Sequence, residues 1–349
     1  MNIFFKSRFL YFILALLTIV AATFAVITKI QVFSFEAASF GAVPASEKRT
    51  LTIVFFGDAM FDRSVRSLMN QNGFDYPFAH VTDFVRSHDL AVLNLEGVYT
   101  RHESVSVKDL TRLQFTFDPQ GIDALKKAGF SAVSQANNHS FDFGREGLVE
   151  SKVSLSARGI DPFGDYFNET DPLLIEKKGQ KIALIGFNEF GGRNHDRIDS
   201  GIIKAKNDGY IAIVFAHWGE EYERFPNDFQ KETARHFIDM GADVVIGAHP
   251  HVIEPIEEYK GKPIFYSLGN FIFDQYFSKD TQEGIALTLE VNKREIDFFV
   301  TPFKIERTVP MFMEQAEETE ILEALAMDSE VSSEWREGIR TKTKIKIPR

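Results

Sequence analysis

Short apolar segments alternate with amphipathic segments along the chain from Leu51 onward. The apolar segments are rich in β-branched residues and phenylalanine, which is typical of buried strands. They cover residues 51–56, 89–95, 131–135, 181–187, 211–217, 243–248 and 263–268. Helical periodicity lies between them, at residues 62–71, 119–128, 145–158 and 228–240. This alternation predicts an α/β fold with a largely parallel core.

Two predicted hairpins interrupt the alternation. One covers residues 173–187 and turns at Lys178-Gly179-Gln180, and the other covers residues 285–304 and turns at Asn292-Lys293. Hairpins join antiparallel strands, so antiparallel pairing accompanies the parallel core. The pattern therefore predicts mixed sheets, either single or packed together as two.

The N-terminal segment predicts a membrane anchor. Residues 9–28 contain no charged side chain, and a helix of that length covers the roughly 30 Å of a bilayer core. Lys6 and Arg8 precede it, which predicts a cytoplasmic N-terminus and an extracytoplasmic chain from about residue 30. A cleaved signal peptide is the alternative, although its apolar core is usually only about 7–15 residues. We expect a single-pass protein of the cell membrane.

The remaining organisation follows from composition. Residues 1–30 form the cytoplasmic stub and anchor, 31–50 a small and polar linker, 51–305 the globular domain, and 306–349 a charged tail. The tail is acidic from Glu314 to Glu334 and basic from Arg336 to the end. A solvated helix with a basic end is the preferred interpretation, and a partner-binding module is the alternative.

Charge and cysteine content exclude several classes of function. The 349 residues carry 39 Lys and Arg against 50 Asp and Glu, a formal charge of −11, which argues against a nucleic-acid partner. Hydrophobic residues make up 44% of the chain, which is enough for a packed core. There is no cysteine, so the chain has no disulfide, zinc thiolate, catalytic thiol or lipoprotein anchor.

Polar side chains with metal-ligating chemistry follow five of the predicted strands. Any one of them alone is better explained as a helix cap or a hydrogen-bonded loop residue. Together they place four of the nine histidines beside acidic and amide side chains at strand ends, where ligands collect in α/β proteins. The residues are Asp58, Glu96, Asn138, His139, His217, His249 and His251.

The His249-Pro250-His251 segment is the most specific of these signals. The proline biases His249 towards extended geometry, in which residues i and i+2 point the same way, so both imidazoles would face one point. Oxygen and imidazole ligands without a thiolate suit Mn²⁺, Zn²⁺ or Fe, as one or two ions. His139 is placed to donate a proton to a leaving group, and Asp142 to orient it.

Six motifs occur in order over residues 51–305 and resemble the series of the CapA family. They are Gly57-Asp58-Ala59-Met60, Asn94-Leu95-Glu96-Gly97, Ala136-Asn137-Asn138-His139 with Asp142-Phe143-Gly144, His217-Trp218-Gly219-Glu220-Glu221-Tyr222, Gly247-Ala248-His249-Pro250-His251-Val252, and residues 266–275. This poly-γ-glutamate capsule biosynthesis family is similar to calcineurin-like metallophosphoesterases. The resemblance implies a four-layered α/β/β/α sandwich with mixed sheets.

The resemblance also implies metal ligands at Asp58, Asn138, His217, His249 and His251. In the second motif the ligand would be either Glu96 or Asn94, and His139 would be the general acid. Metallophosphoesterases have Asp-x-His in the first motif, whereas this chain has Asp58-Ala59-Met60. One ligand is therefore missing, which leaves open a single ion or one tight and one weak ion.

Three further residues are candidate substrate contacts. They are Arg63 on the first helix, which could meet a carboxylate or phosphate, and Trp218 and Tyr222, which could line the pocket mouth. Each also has an ordinary structural explanation, as a solvated arginine or as packing aromatics. Asn270 is expected to cap a loop behind the site, and Glu220 and Glu221 to lie outside it.

Two functions remain open. The first is a membrane-anchored, metal-dependent hydrolase acting in the synthesis or export of polyglutamate or a related anionic cell-surface polymer, alongside membrane synthase or export subunits. The second is a non-catalytic accessory factor of that complex with a degraded metal site, for which Met60 is the main support.

Overall fold

The computed structural model describes residues 50–348, so the predicted membrane anchor at residues 9–28 and the linker up to residue 49 lie outside the described residues. Within residues 50–348, no helix has both the length and the apolar character needed to cross a membrane. The anchor and the extracytoplasmic location therefore stay predictions.

Two mixed sheets form the centre of the described chain. Their strands, with one separate small pair, are β1 (Leu51–Ala59), β2 (Leu90–Leu95), β3 (Val98–Tyr99), β4 (Thr116–Phe117), β5 (Ala132–Ser134), β6 (Asp161–Phe163), β7 (Leu173–Lys177), β8 (Gln180–Asn188), β9 (Ile211–His217), β10 (Val244–Ala248), β11 (Ile253–Tyr259), β12 (Lys262–Leu268), β13 (Asn270–Ile272), β14 (Glu283–Val291), β15 (Glu295–Glu306), β16 (Val309–Phe312) and β17 (Ile345–Pro348).

Helices connect and cover these strands. They are α1 (Arg63–Asn72), α2 (Thr82–Arg86), α3 (Gly121–Ala128), α4 (Gly144–Ser156), α5 (Asp196–Asn207), α6 (Asp228–Asp239), α7 (Gln315–Asp328) and α8 (Ser333–Thr341), with 3₁₀ turns at Tyr76–Phe78, Glu189–Gly191 and Asp280–Gln282. The strands and helices predicted from residues 51–268 are present, with ends shifted by up to three residues.

Each sheet combines parallel and antiparallel pairs, as predicted. The larger sheet has the order β16-β15-β14-β1-β2-β5-β6, with β13 beside β1 and β17 beside β15, and the smaller has the order β11-β12-β10-β9-β8-β7. The β7–β8 and β14–β15 hairpins are the two predicted ones. At the first turn, Lys178 and Gly179 both have positive φ, 52° and 74°, as tight hairpin turns require.

The two sheets pack face to face between outer helices. Ile53 and Phe55 of β1 lie in one apolar cluster with Ile213 and Phe215 of β9, so the inner faces meet. Val54 alternates to the outer face of the larger sheet, which α1 and α3 cover. Helices α5 and α6 cover the outer face of the smaller sheet. This α/β/β/α layering explains why most strands read as continuous apolar runs.

The C-terminal segment differs from its prediction. The expected solvated helix is wrong, because α7 and α8 bury Leu322, Leu325, Trp335 and Ile339 in the cluster between the sheets. Strand β17 then pairs antiparallel with β15. Abundant acidic residues on the exposed face of α7 hid its apolar side in the sequence.

Candidate metal centre

The predicted ligand residues come together at the carboxyl ends of strands from both sheets. Asp58 ends β1, Glu96 follows β2, and Asn138 lies in the loop after β5. His217 ends β9, and the His-Pro-His segment follows β10 in the other sheet. The face-to-face packing thus places two strand-end groups around one buried point, where a rigid scaffold can hold ligands precisely.

Asp58 lies at the centre of this arrangement and is fully buried. Its Oδ1 accepts a hydrogen bond from Asn94 Nδ2 at 2.7 Å, and its Oδ2 accepts one from the His249 backbone N–H at 3.0 Å. His251 Nδ1 lies 3.4 Å from the same Oδ2. Asp58 therefore links the ends of β1, β2 and β10 while keeping lone pairs free for a cation.

Glu96 is buried, and neither of its carboxylate oxygens has a hydrogen-bond partner among the described residues. Burial raises the pKa of Glu96 well above its usual range, although the nearby His251 opposes the shift. The Glu96 Oε1 lies 3.7 Å from His251 Nε2 and 3.9 Å from His139 Nε2. A buried carboxylate without a donor is costly unless a proton or a cation compensates it.

The donor set fits a divalent cation in two overlapping groups. One ligand atom each from Asp58, Glu96 and His251 lie within 4.8 Å of one another, and so do atoms from Glu221, His249 and His251. Carboxylate and imidazole donors suit Mn²⁺, Zn²⁺ or Fe²⁺. His251 belongs to both groups, so it would be a ligand common to both groups if two ions bind, or a ligand of a single ion.

His217 and His249 are prepared as neutral ligands. His217 Nε2 lies 3.0 Å from Asn138 Oδ1 and 3.1 Å from His249 Nδ1. Burial lowers the pKa of His217 well below its usual range, and burial with the neighbouring His251 lowers the pKa of His249 to about 3. Both imidazoles are therefore uncharged at neutral pH, which is the form that binds metals.

The local backbone at the His-Pro-His segment contradicts the predicted extended geometry. His249 has φ 100° and His251 has φ 61°, both in the left-handed region that non-glycine residues rarely adopt. The rings nevertheless converge, with centroids 5.8 Å apart. Convergence was predicted correctly but for the wrong reason, since two unusual backbone conformations produce it. Such strain is often held in place at functional sites.

Met60 is buried in the apolar cluster that lies on the outer face of the larger sheet. Its sulfur accepts a hydrogen bond from the Asp62 backbone N–H at 3.0 Å. Met60 therefore packs in the core, with its sulfur bonded to the neighbouring backbone.

His139 has the geometry of a proton donor beside the ligand groups. Its Nδ1 lies 2.8 Å from Asp142 Oδ2, and its Nε2 faces Glu96. The Phe115 ring packs against the imidazole with centroids 4.2 Å apart. Asp142 also accepts a hydrogen bond from the Phe115 backbone N–H at 2.7 Å, so it is itself fixed. The predicted pairing of His139 with Asp142 is thus present in the structure.

The three predicted substrate contacts have different environments. Tyr222 is 42% exposed, has φ 69°, and stacks over His251 with centroids 6.1 Å apart, so it lies at the mouth of the site. Arg63 is half-buried, with Nε 3.4 Å from Asp274 Oδ2. Trp218 is fully buried and its Nε1–H donates to the Tyr266 carbonyl at 2.9 Å. The prediction that Trp218 lines the mouth is wrong, because it packs in the outer core of the smaller sheet.

Supporting residues include one predicted and two missed ones. Asn270 Oδ1 lies 2.9 Å from His251 Nδ1, and its Nδ2 donates to the Gln275 side chain, in agreement with the expected loop cap. Asn137 donates to Asn94 Oδ1 at 3.0 Å, and the Phe190 ring covers His249 at 4.4 Å. The two asparagines directly before His139 were a sequence signal for Asn137, whereas no sequence signal indicated Phe190.

Affinity for a divalent cation should rise with pH. Burial lowers the pKa of His251, but the nearby carboxylates of Glu96 and Asp58 have the larger effect and raise that pKa to about 9. The pair formed by His251 and Glu96 therefore holds a proton at neutral pH. A bound cation must displace that proton, and affinity should gain about tenfold per pH unit between about pH 6 and 8. Calorimetry of Mn²⁺ binding in buffers of different ionisation enthalpy measures the released proton.

The control for this measurement is Glu96→Gln, which removes the partner that raises the pKa of His251 and should reduce the proton release. An affinity for Mn²⁺ that is independent of pH in the unchanged chain would contradict the prediction. His217 and His249 contribute no proton at neutral pH because both are already neutral.

The fold and the site together define a two-sheet α/β protein with a candidate divalent-metal centre at its strand ends. The model of the family described as "Bacterial capsule synthesis protein PGA_cap" matches residues 52–275, and the chain belongs to that family. This confirms the family predicted from the motifs.

Named relatives agree with this assignment. The chain is 30% identical to "PGA biosynthesis protein CapA" of Bacillus subtilis (strain 168), over 82% of this chain and 81% of the relative. It is 29% identical to "Capsule biosynthesis protein CapA" of Bacillus anthracis, over 69% and 64% of the two chains. Among solved structures, TT1561 of Thermus thermophilus aligns with 68% of this chain and 94% of that chain, with a TM-score of 0.42 and 10% identity.

Proposed function

We propose that this chain is a membrane-anchored, extracytoplasmic CapA-like protein of poly-γ-glutamate capsule synthesis or export, and that it is a metal-dependent hydrolase. The names of the relatives from Bacillus subtilis and Bacillus anthracis support the pathway. The uncharged segment at residues 9–28, preceded by Lys6 and Arg8, supports the anchor. We propose polyglutamate as the polymer, and membrane synthase or export subunits as partners.

The observation that carries the hydrolase proposal is the Glu96 carboxylate. It is buried without a hydrogen-bond donor among the described residues, and it lies beside Asp58 and His251 at ligand spacing. A purely structural carboxyl group would gain a hydrogen-bond partner or be replaced by an apolar side chain, because burying an unpaired polar group is costly even when it is neutral. A ligand for a divalent cation explains both its position and its lack of partners.

The side chains have complementary chemical tasks in this proposal. A bound divalent ion would make water more acidic and offset negative charge developing in an amide or phosphoester. Asp58 and Glu96 supply the negative charge that holds the ion, and His217 and His249 supply neutral imidazoles. His139 donates a proton from Nε2 to the leaving group while Asp142 holds Nδ1.

A second candidate function is a non-catalytic accessory factor that binds nascent polymer. Met60 favours it, because a thioether buried in an apolar cluster stands where metallophosphoesterases have a histidine. The remaining donors could then hold one structural ion that attracts a polyanion without cleaving it.

The two functions differ in product formation. The full-length chain in detergent is incubated with Mn²⁺ or Zn²⁺ and either poly-γ-glutamate or a chromogenic phosphodiester, with and without a chelator. Product from the polymer, detected by mass spectrometry and lost with chelator, supports an amide hydrolase. Product from the phosphodiester alone supports a phosphoesterase. A metal-loaded chain that forms neither product supports the accessory function.

Two buried glutamates give matched variants for that assay. Glu96→Gln should abolish product, because it removes a proposed ligand. Glu254→Gln should retain it, because Glu254 of β11 accepts a hydrogen bond from Gln230 of α6 and burial raises its pKa to about 8. The glutamine therefore imitates the neutral form that Glu254 already has.

A further inference from the structure

A groove of about 580 Å³ opens beside the candidate metal centre, along the first turns of α1. This volume is in the range of sites that hold small molecules or a segment of a polymer. The polar side chains that line it include Arg63, Ser67, Gln71, Tyr276, Gln282 and Arg307, and we call it the arginine groove.

The lining of the arginine groove differs in charge from the chain as a whole. The chain has a formal charge of −11, yet the residues lining the groove in the described part of the chain include two arginines and no carboxylate. Arg307 is exposed and forms no ion pair with any carboxylate of residues 50–348. A free guanidinium in an acidic protein is an available site for an anion.

Both arginines act electrostatically on a third residue of the groove lining, Tyr276. Partial burial and the Asp274 carboxylate raise the pKa of Tyr276 to about 12, while Arg307 and Arg63 both oppose that shift, so both guanidinium groups lie near the phenol. The phenol adds a hydroxyl donor to the two cations of the lining, which suits a ligand with more than one anionic group.

Both arginines also have an unusual backbone. Arg63 has φ 54° and Arg307 has φ 49°, in the left-handed region that favours glycine. Arg63 begins α1 directly after Asp62, whose side chain accepts a hydrogen bond from the Arg63 backbone N–H. Arg307 lies in the turn between β15 and β16. Thr308 has φ 73° beside it, so the backbone of Arg307 is that of a tight hairpin turn, which presents the guanidinium outside the sheet.

One part of the groove lining is apolar. It consists of Leu68 of α1 with Val107 and Leu110 of the loop before β4. Leu110 is 53% exposed and Val107 is 38% exposed, so both are available to a ligand. The groove therefore combines cations with an apolar surface, and a ligand that fits it has carboxylates on a methylene-rich chain.

Arg63 connects the groove to the metal centre. Its Nε lies 3.4 Å from Asp274 Oδ2, which also accepts a hydrogen bond from the Ser64 backbone N–H. Asp274 follows Phe273, whose ring packs against the His251 imidazole with centroids 4.7 Å apart. One end of the groove therefore lies next to the proposed ligand groups.

We propose that the arginine groove binds a segment of poly-γ-glutamate, with Arg63 and Arg307 holding separate carboxylates and the apolar part of the lining contacting the methylenes. This proposal rests on the proposed function and adds the polymer-binding surface. A nucleic acid fits less well, because its binding depends on many cations rather than two.

The test measures binding of fluorescently labelled poly-γ-glutamate to the full-length chain in detergent by fluorescence anisotropy. Arg307→Gln should weaken binding about fivefold, because one exposed ion pair contributes up to about 1 kcal/mol. Arg307→Glu should weaken it further by repulsion. Both variants should bind Mn²⁺ with unchanged stoichiometry.

The chain offers a matched control at the other end of the same strand. Arg294 is exposed in the turn before β15, so it is roughly 40 Å of extended strand away from Arg307. Arg294→Gln removes the same charge and should leave polymer binding unchanged. If Arg294→Gln and Arg307→Gln lose the same amount of polymer affinity, the effect is one of general charge, and this result would overturn the proposal that the arginine groove binds the polymer.

Further outcomes separate this proposal from the proposed function. Polymer binding that is unchanged in Arg307→Gln and Arg307→Glu overturns the groove, even if metal-dependent product is still formed. A metal-free chain that binds polymer in an Arg307-dependent way supports the groove while contradicting the hydrolase. A labelled RNA that binds as tightly as the polymer, with the same dependence on Arg307, also overturns it.

Discussion

Asp58→Asn should weaken divalent-cation binding by more than about 100-fold. Loss of a partner in the outer shell of a metal site already costs about 10- to 100-fold, and Asp58 is a direct ligand in this proposal. The asparagine keeps the shape of the side chain but places an amide N–H₂ against either Asn94 Nδ2 or the His249 backbone N–H, which are both donors. We expect an additional loss of about 1–3 kcal/mol in unfolding free energy.

Thermal unfolding with and without Mn²⁺ separates these two effects. A cation that binds the folded state stabilises it by mass action, so Mn²⁺ should raise the melting temperature of the unchanged chain but not of Asp58→Asn. Equilibrium dialysis followed by elemental analysis measures the bound metal directly.

The control for destabilisation is Asp243→Asn, another buried aspartate. Asp243 forms ion pairs with Lys206 and Lys262 and accepts a hydrogen bond from the Ala212 backbone N–H, away from the metal centre. This variant should also melt at a lower temperature yet keep the full response to Mn²⁺. An Asp58→Asn chain that binds Mn²⁺ as tightly as the unchanged chain would rule out Asp58 as a ligand.

The positions of the candidate ligands could be predicted because the sheets are buried on both faces. Such strands read as continuous apolar runs, and the first polar residue after each run marks the strand end. Asp58, His217 and His249 were found in this way. Parallel strands present their carboxyl ends together within each sheet, and the face-to-face packing of the two sheets brings Asp58 to the histidines.

Features that depend on tertiary packing were not predictable in the same way. The left-handed backbone at His249 and His251 comes from the loop that joins β10 to β11, and the proline between them indicated the opposite geometry. For Trp218 the sequence left both the pocket mouth and core packing open, and the alternation of side chains after β9 places it in the outer core. Adjacent residues at a strand end lie on opposite faces, which the motif alone does not reveal.

The C-terminal segment shows a different limit. Helix α7 carries so many charges that its apolar positions gave no strong amphipathic signal. Its burial depends on a surface formed by β15 of the larger sheet together with β11 of the smaller sheet, which is distant in sequence. Local pattern could therefore predict a helix there but not what the helix contacts.

His139→Gln should lower the rate of product formation by about 10²- to 10⁴-fold, because a positioned general acid contributes an effect of that size. The variant should still bind the metal, since His139 is absent from both groups of potential ligands and its Nε2 lies 3.9 Å from Glu96. Stopped assays at saturating polymer measure kcat, and elemental analysis of the same samples measures bound metal.

His80 gives the matched control, because it is exposed on the surface and has no contact with the centre. His80→Gln should retain full activity. The hydrolase proposal requires His139→Gln to lose turnover while keeping both metal and polymer, since a proton donor acts only on the leaving group. A variant that loses metal and turnover together would instead make His139 a ligand, and unchanged turnover would remove it from the mechanism. The accessory function predicts a third pattern, in which neither variant affects polymer binding and no variant forms product.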